Sequence, residues 1–363
     1  MRRSIVGSLI TLSLVASACS AAATPAPTKA PTAASTAGTS GAPTTAVKTP
    51  IAFPAAETTN LKVALSNNLA VNQFINVLAR DLGLFQKYGL TVEVISLAGG
   101  AGAVVQGLVS NSINIGVVSA GAALSASLTD APLVTMGLDS TSLSYSLIGS
   151  KDVKSGADLK GKSVAISTLG DVSHAAVLAT LQRLNLKPTD VLLQTIGNEA
   201  ARISAVISGA VAAAPVQSVN SKKVLEQGTN LLIDLDTSPV KFGIAGVTAT
   251  KAWAAKNQGT ILRFLAAVIE AQQVMIEKPA LAAVAYATFT SLDAATAKAS
   301  IEACAKGVCN KGLVFSAADF ALNKEVLATV NAAAANVDVN TVIDLGPLTK
   351  LKEMGFNAEI NFP

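Results

Sequence analysis

The fold of this 363-residue chain is restricted most by a pattern of short apolar runs and helical stretches that occurs twice in the same order. The first copy opens with LKVALS at 61–66, a run of strand length. A helical stretch follows over 72–88, with Phe74, Ile75, Leu78, Leu82 and Phe85 on one face and Gly89 as its stop. TVEVISL at 91–97 reads as a second strand. Gly99, Gly100 and Gly102 turn the chain into a helix through Val109 that ends near Asn111, and INIGVVS at 113–119 is a third strand. Gly121 then opens another turn. The second copy runs as a strand at 163–167, a turn at 169–171 and a helix at 174–184. A strand at 191–195, a helix at 200–207 and a last strand at 211–217 complete it. Each copy is β-α-β-α-β, an order that favours a parallel sheet with helices on both faces. Two copies within about 300 residues point to two α/β lobes with a cleft between them.

Ligands of open α/β sheets bind beyond the carboxyl ends of the strands. The candidate ligand-binding residues are therefore those in the loops that follow each strand. In the first copy these are Ser66, Asn67 and Asn68, then Gly99 and Gly100, then Ser119 and Gly121. In the second they are Thr168, Gly170, Asp171, Ser173 and His174, then Asn198 and Glu199, then Gln217 beside Ser218. Small residues let backbone N–H groups approach a ligand, and helix N-termini in the same loops favour a carboxylate, sulfonate or phosphate. Taken singly, each of these residues is equally at home in a turn or a helix cap. Convergence of several such loops on one cleft is what favours a ligand.

ARDLGLFQKYGLTVEVISLAGG, followed by VVQGLVSNSINIGVVSAGAALSAS, resembles the substrate-binding proteins of ABC importers. The nearest group is the SsuA-like one that handles sulfonates, nitrate and thiamine precursors. Ala79, Asp81, Gly83, Leu84, Phe85, Gly89, Leu90 and Val92 carry the first element of the resemblance. ADLKGKSVAIS at 157–167 and KNQGTILRFLAAVIEA at 256–271 carry the others, so that it spans most of 59–290. Asn114 and Ala212 stand where the family often has Asp. The resemblance implies a type II periplasmic-binding-protein fold with two crossovers, near 145–149 and 238–244. Lobe 1 would comprise 58–146 and 245–363, and lobe 2 would comprise 147–244. It also implies capture of a small solute between the lobes and delivery to ABC permease subunits. Signalling to a membrane receptor or kinase is the alternative, and an enzyme related to thiamine-pyrimidine synthases a remoter one. The cysteine-rich motif of that enzyme branch is not found here.

Ahead of the repeats, Arg2 and Arg3, a short apolar stretch over 5–15, and Ala16, Ser17, Ala18 and Cys19 have the layout of a signal peptide at 1–18. The cysteine after small residues resembles the lipobox of bacterial lipoproteins, with Ala16 in place of the usual leucine. Lipidation of Cys19 would anchor the protein at the outer face of the cell membrane; ordinary secretion with loss of Cys19 is the other outcome. The apolar stretch is shorter than the ~20 residues that span a bilayer, and no later segment reads as a span. Residues 19–57, rich in Ala, Thr, Pro, Ser and Gly, read as a disordered tether. Cys304 and Cys309 are the remaining cysteines, and outside the cytoplasm such a pair often oxidises to a disulfide. Free thiols are the alternative, and no His lies near enough to suggest a metal.

A net charge of +4 without a dense basic cluster excludes nucleic acid as an expected partner. GADLKGKS at 156–163 fits the phosphate-loop pattern by letter, yet its Lys162 and Ser163 run into a strand rather than a helix. His174 is the only histidine, and adjacent Ser173 and His174 diverge by about 100° on a helix, so no hydrogen-bonded dyad is expected. No catalytic residue, cofactor or metal is assigned. The expected molecule is a monomer that is not an enzyme, and the identity and charge of its ligand stay open.

Overall fold

The computed structural model describes residues 51–129, 132–237 and 241–356. The signal peptide, Cys19 and the tether up to residue 50 lie outside the described residues. The apolar run of the first copy forms β1 (Asn60–Leu65), followed by α1 (Val71–Asp81) and a separate short α2 (Leu84–Lys87). One continuous helix was expected here. Gly83, at φ +69°, breaks it, because a residue without Cβ takes the left-handed conformation at little cost. The break turns Phe85 inward, where it stacks on Phe264 with ring centroids 5.2 Å apart. β2 (Thr91–Ser96), α3 (Gly100–Val109), β3 (Ile115–Val118) and α4 (Ala120–Ala126) complete the copy. Gly121 lies in the first turn of α4 rather than in a loop.

Two strands, β4 (Leu133–Ser142) and β5 (Tyr145–Gly149), are separated by only two residues and belong to different sheets. The second copy follows as β6 (Ser163–Ile166), α5 (Val172–Arg183), β7 (Leu192–Thr195), α6 (Glu199–Ser208) and β8 (Ala213–Gln217). α7 (Ser218–Leu225) and β9 (Asn230–Asp234) end this part. The chain returns through β10 (Lys241–Thr250). It then forms α8 (Lys251–Lys256), α9 (Gln258–Glu277), α10 (Pro279–Thr290) and α11 (Ala294–Ala303). α12 (Ala321–Ala328) and α13 (Gly346–Glu353) follow.

The strands make two five-stranded sheets with matching order, β2-β1-β3-β10-β4 and β7-β6-β8-β5-β9. Three strands of each run parallel, as the repeats imply. One strand of each runs against the other four: β10 is antiparallel to β3 and to β4, and β5 is antiparallel to β8 and to β9. These are the strands that lead into and out of the second sheet, so their direction follows from the exchange of chain between lobes. The first crossing falls at 143–144, ahead of the expected 145–149, because 145–149 already pairs within the second sheet. The return crossing ends where β10 begins at Lys241, earlier than the expected lobe boundary at 245; residues 238–240 lie outside the described residues.

The first sheet is covered by α1, α2, α9 and the C-terminal helices, with Phe74, Ile75, Leu78, Phe264, Leu265 and Tyr286 buried among them. Full burial of one such side chain is worth about 1.5–3 kcal/mol. α9 is long and apolar enough to cross a membrane by length and composition, contrary to the sequence expectation, but 72% of its apolar window is buried inside the protein. The second sheet packs Leu147, Val164 and Ile166 against Val177 and Leu181 of α5. The tether expectation is also shortened. Glu57 caps α9 by accepting from the Gly259 and Thr260 N–H groups at 3.1 and 3.0 Å, and Phe53 packs edge-on against Tyr88. Asn114, the departure from the family pattern, is structural: its Oδ1 accepts from Lys62 N–H at 2.8 Å. Residues 156–159 form a 3-10 turn before β6, so the phosphate-loop pattern has no helix at its lysine. Cys304 and Cys309 are bonded just after α11.

Candidate functional site

The loops that follow β1, β3, β6, β7 and β8 meet between the two sheets. Three of their helices begin with capping side chains. Ser119 Oγ accepts from Ala122 N–H, Asp171 Oδ1 from Ser173 and His174 N–H, and Asn198 Oδ1 from Ala201 N–H. Each such cap is worth about 1 kcal/mol. The caps aim helix N-termini at the gap, which raises the potential there.

A small polar cavity lies at the meeting point. Ser66, Asn67, Ser119, Asp171, Ser173 and Gln217 line it, as do Gln73, Ala101, Tyr145, Ser167, Val172, Arg202 and Ile244. In this closed arrangement its volume is about 20 Å³, enough for roughly one water. The first six were candidates from sequence. Gln73, Tyr145, Ser167 and Arg202 were not. Gln73 sits in the first turn of α1, where its Nε2 donates to Ser66 Oγ and its Oε1 accepts from Asn67 N–H, both at 3.1 Å. Tyr145 comes from the crossing strand β5, which no loop rule selects. Its buried hydroxyl is pushed up by desolvation first and then by Glu199, with Arg202 opposing and Asp171 adding.

The remaining candidates form the seam around the cavity. Glu199 is fully buried, and three groups donate to it. Its Oε1 accepts from Gln217 N–H at 2.9 Å and Asn220 Nδ2 at 3.1 Å; its Oε2 accepts from Asn67 Nδ2 of the first lobe at 2.6 Å. Asn198 N–H donates across the gap to Ala98 O at 3.0 Å, beside exposed Gly99. Gly100 needs to lack a side chain, because a Cβ there would sit 2.4 Å from Ser167 Oγ and 3.2 Å from Gly197 C. Gly121 is closer still, with a Cβ position 2.0 Å from Gly170 O. Gly170 in turn faces Leu327 of α12. Asn68 has a buried Oδ1 without a partner, and Thr168 is half-buried near Gly102.

His174 faces its own loop. Its Nδ1 accepts from Gly170 N–H at 3.0 Å, which fixes the tautomer with the proton on Nε2. Burial lowers its pKa, against the pull of the Asp171 carboxylate. Ser173 Oγ donates to Asp171 Oδ1 and accepts from Ser167 N–H, both at 2.6 Å, so Ser173 and His174 do not pair. Among the described residues no set of three or more His, Cys, Asp or Glu is grouped as metal ligands.

The sequence profile described as NMT1/THI5 like matches residues 71–282. No curated protein matches the chain. The fold is similar to that of the periplasmic nitrate-binding protein NrtA from Synechocystis PCC 6803, with TM-score 0.68 and 17% identity over 85% of this chain and 92% of that one. The alkanesulfonate-binding protein SsuA from Xanthomonas axonopodis pv. citri, bound to MOPS, gives TM-score 0.65 and 17% identity over 80% of this chain and 99% of that one. The aliphatic sulphonate-binding protein SsuA from Escherichia coli gives 0.59 and 20% over 79% and 92%. These likenesses establish the periplasmic-binding-protein fold, with two lobes facing across a cleft.

Proposed function

Because the chain belongs to the NMT1/THI5-like family, we propose that it is the solute-binding component of an ABC importer. It captures a small organic molecule or anion between its lobes outside the cytoplasm and hands it to a membrane permease. Lipidation of Cys19 holds it at the membrane surface in this reading. One observation carries the proposal: polar side chains from both lobes converge on one cavity and already bond across it, as Asn67 does to Glu199.

The closed cavity admits about one water. A solute of sulfonate size therefore enters only when the lobes part, and its contacts to both lobes then favour the closed form. The test is a thermal-shift screen of the purified protein against sulfonates, nitrate, amino acids, pyrimidines and aromatic carboxylates. A ligand stabilises the folded state in proportion to the logarithm of its concentration over Kd. A saturable rise in Tm, with contraction of the protein in solution scattering, is the expected result. No shift with any solute class overturns the reading. Anchoring is tested separately: Cys19→Ala should move the protein from the membrane fraction to the soluble one.

A further inference from the structure

We propose that the cleft selects a small zwitterion, a solute with a basic nitrogen and an anionic group a few bonds apart, rather than a bare anion. The inference rests on the solute-binding reading and names the ligand class of that same site. It comes from the polar atoms that the closed protein leaves uncommitted around the cavity.

Asp171 and Arg202 both line the cavity and are both almost wholly buried, at 2% exposure each. The protein uses only part of each. Asp171 Oδ1 takes the Ser173 N–H, the Ser173 hydroxyl and the His174 N–H. Its Oδ2 has no bond among the described residues. Arg202 Nη1 donates to Gly197 O at 2.7 Å and its Nε to Pro215 O at 3.4 Å. Those bonds hold the guanidinium in place and leave Nη2 uncommitted. Gln217 lines the same cavity, and its buried Oε1 has no partner. Tyr145 lines the cavity too, so Asp171, Arg202, Gln217 and Tyr145 meet at one small volume.

The open valences therefore read as two acceptors, Asp171 Oδ2 and Gln217 Oε1, and one charged donor, Arg202 Nη2. An ammonium group satisfies the acceptors and a carboxylate or sulfonate satisfies the donor. A bare anion satisfies Arg202 but faces the Asp171 carboxylate and leaves Gln217 Oε1 unpaired. Discrimination of this kind comes as much from the repelled competitor as from the preferred ligand. All three residues belong to the second lobe, so their spacing survives opening. A solute can seat on them before Ser66, Asn67 and Ser119 of the first lobe close over it.

The test uses calorimetry and thermal shift on the wild-type protein with matched probes. Amino carboxylates and amino sulfonates of two to four carbons are each paired with the same acid lacking the amine and the same amine lacking the acid. The zwitterion should bind at least tenfold tighter than either half. Asp171→Asn, in which the amide oxygen keeps the helix cap, should weaken the zwitterion by at least tenfold and leave the deaminated acid unchanged or tighter. Equal or tighter binding of the deaminated acid to wild type overturns the proposal, even if the variant does not fold. So does an Asp171→Asn protein that binds the zwitterion as wild type does. If no panel member binds while another solute class does, the charge-pair proposal falls and the solute-binding reading stands. If nothing of any class binds, both fall.

Discussion

Replacing Gly121 with Ala should disable closure without harming the fold. In the closed protein the added methyl would sit 2.0 Å from Gly170 O and 3.1 Å from Gly170 C. An ordinary carbon–oxygen contact is about 3.3 Å or more, so the seam must open by more than 1 Å. Both sides of the contact are backbone, the first turn of α4 and the loop between β6 and α5, and neither yields as a side chain does. Overpacking of this kind costs about 1–3 kcal/mol, and the rigid setting places it near the upper end. About 3 kcal/mol lowers the closed-to-open ratio roughly a hundredfold, at 1.4 kcal/mol per factor of ten. Ligand affinity should fall by a similar factor if only the closed form holds the solute firmly. Within α4 the same change is favourable, since Ala exceeds Gly by about 0.8–1 kcal/mol in a helix. The Tm of the ligand-free protein should therefore hold or rise while binding is lost. The assay is energy transfer between dyes on the two lobes, read beside calorimetric affinity. Gly102→Ala is the matched control, because its Cβ would meet only the rotatable Thr168 Oγ1, at 3.3 Å. A Gly121→Ala protein that closes and binds like wild type would refute the assignment of this contact to the closing seam.

Asn67→Ala removes the bond to Glu199 Oε2 and leaves a buried carboxylate oxygen unpaired on closure, so the closed form should lose about 1–3 kcal/mol in the same energy-transfer assay. Asp139 on β4 is buried, which pushes its carboxyl up to about 8, although Asn72 Nδ2 donates to it at 2.8 Å. Its folded pKa exceeds the unfolded one, so its contribution is full below about pH 4 and drains away as pH rises towards 8. Asp139→Asn should then match wild type near pH 4 and be the more stable protein at pH 8 in urea unfolding; a gap independent of pH counts against this. His174 works in the opposite sense, because burial lowers its pKa. Its contribution is complete above about pH 6.5 and is lost on acidification, so His174→Gln should lose less stability than wild type between pH 6.5 and 5.

The paired β-α-β-α-β order was readable because each strand is a buried apolar run and each helix carries one apolar face. The capping residues Ser119, Asp171 and Asn198 were readable for a related reason: small polar residues after a strand mark where a helix starts. Less of the sheet edges was legible. β10 lies between β3 and β4 although about 100 residues separate β4 from it in sequence, and no local periodicity encodes that pairing. The Gly83 break was hidden because apolar spacing continues across it from Leu78 to Phe85. In the cavity, Tyr145 and Arg202 escaped because a rule built on loops passes over a crossing strand and a residue one turn into a helix. His174 was visible as a loop residue, yet only coordinates reveal that its ring closes the turn at Gly170.

The placement of β10 also dictates an order of assembly. Every strand of the second sheet lies in the contiguous stretch 145–234, so that sheet can form as soon as this stretch is available. The first sheet cannot. Among the described strands β4 pairs with β10 alone, and β3 meets β10 on its far side, so both edges stay bare until the chain has gone out and come back. A vectorially emerging polypeptide would thus finish its inserted half before the half that began first.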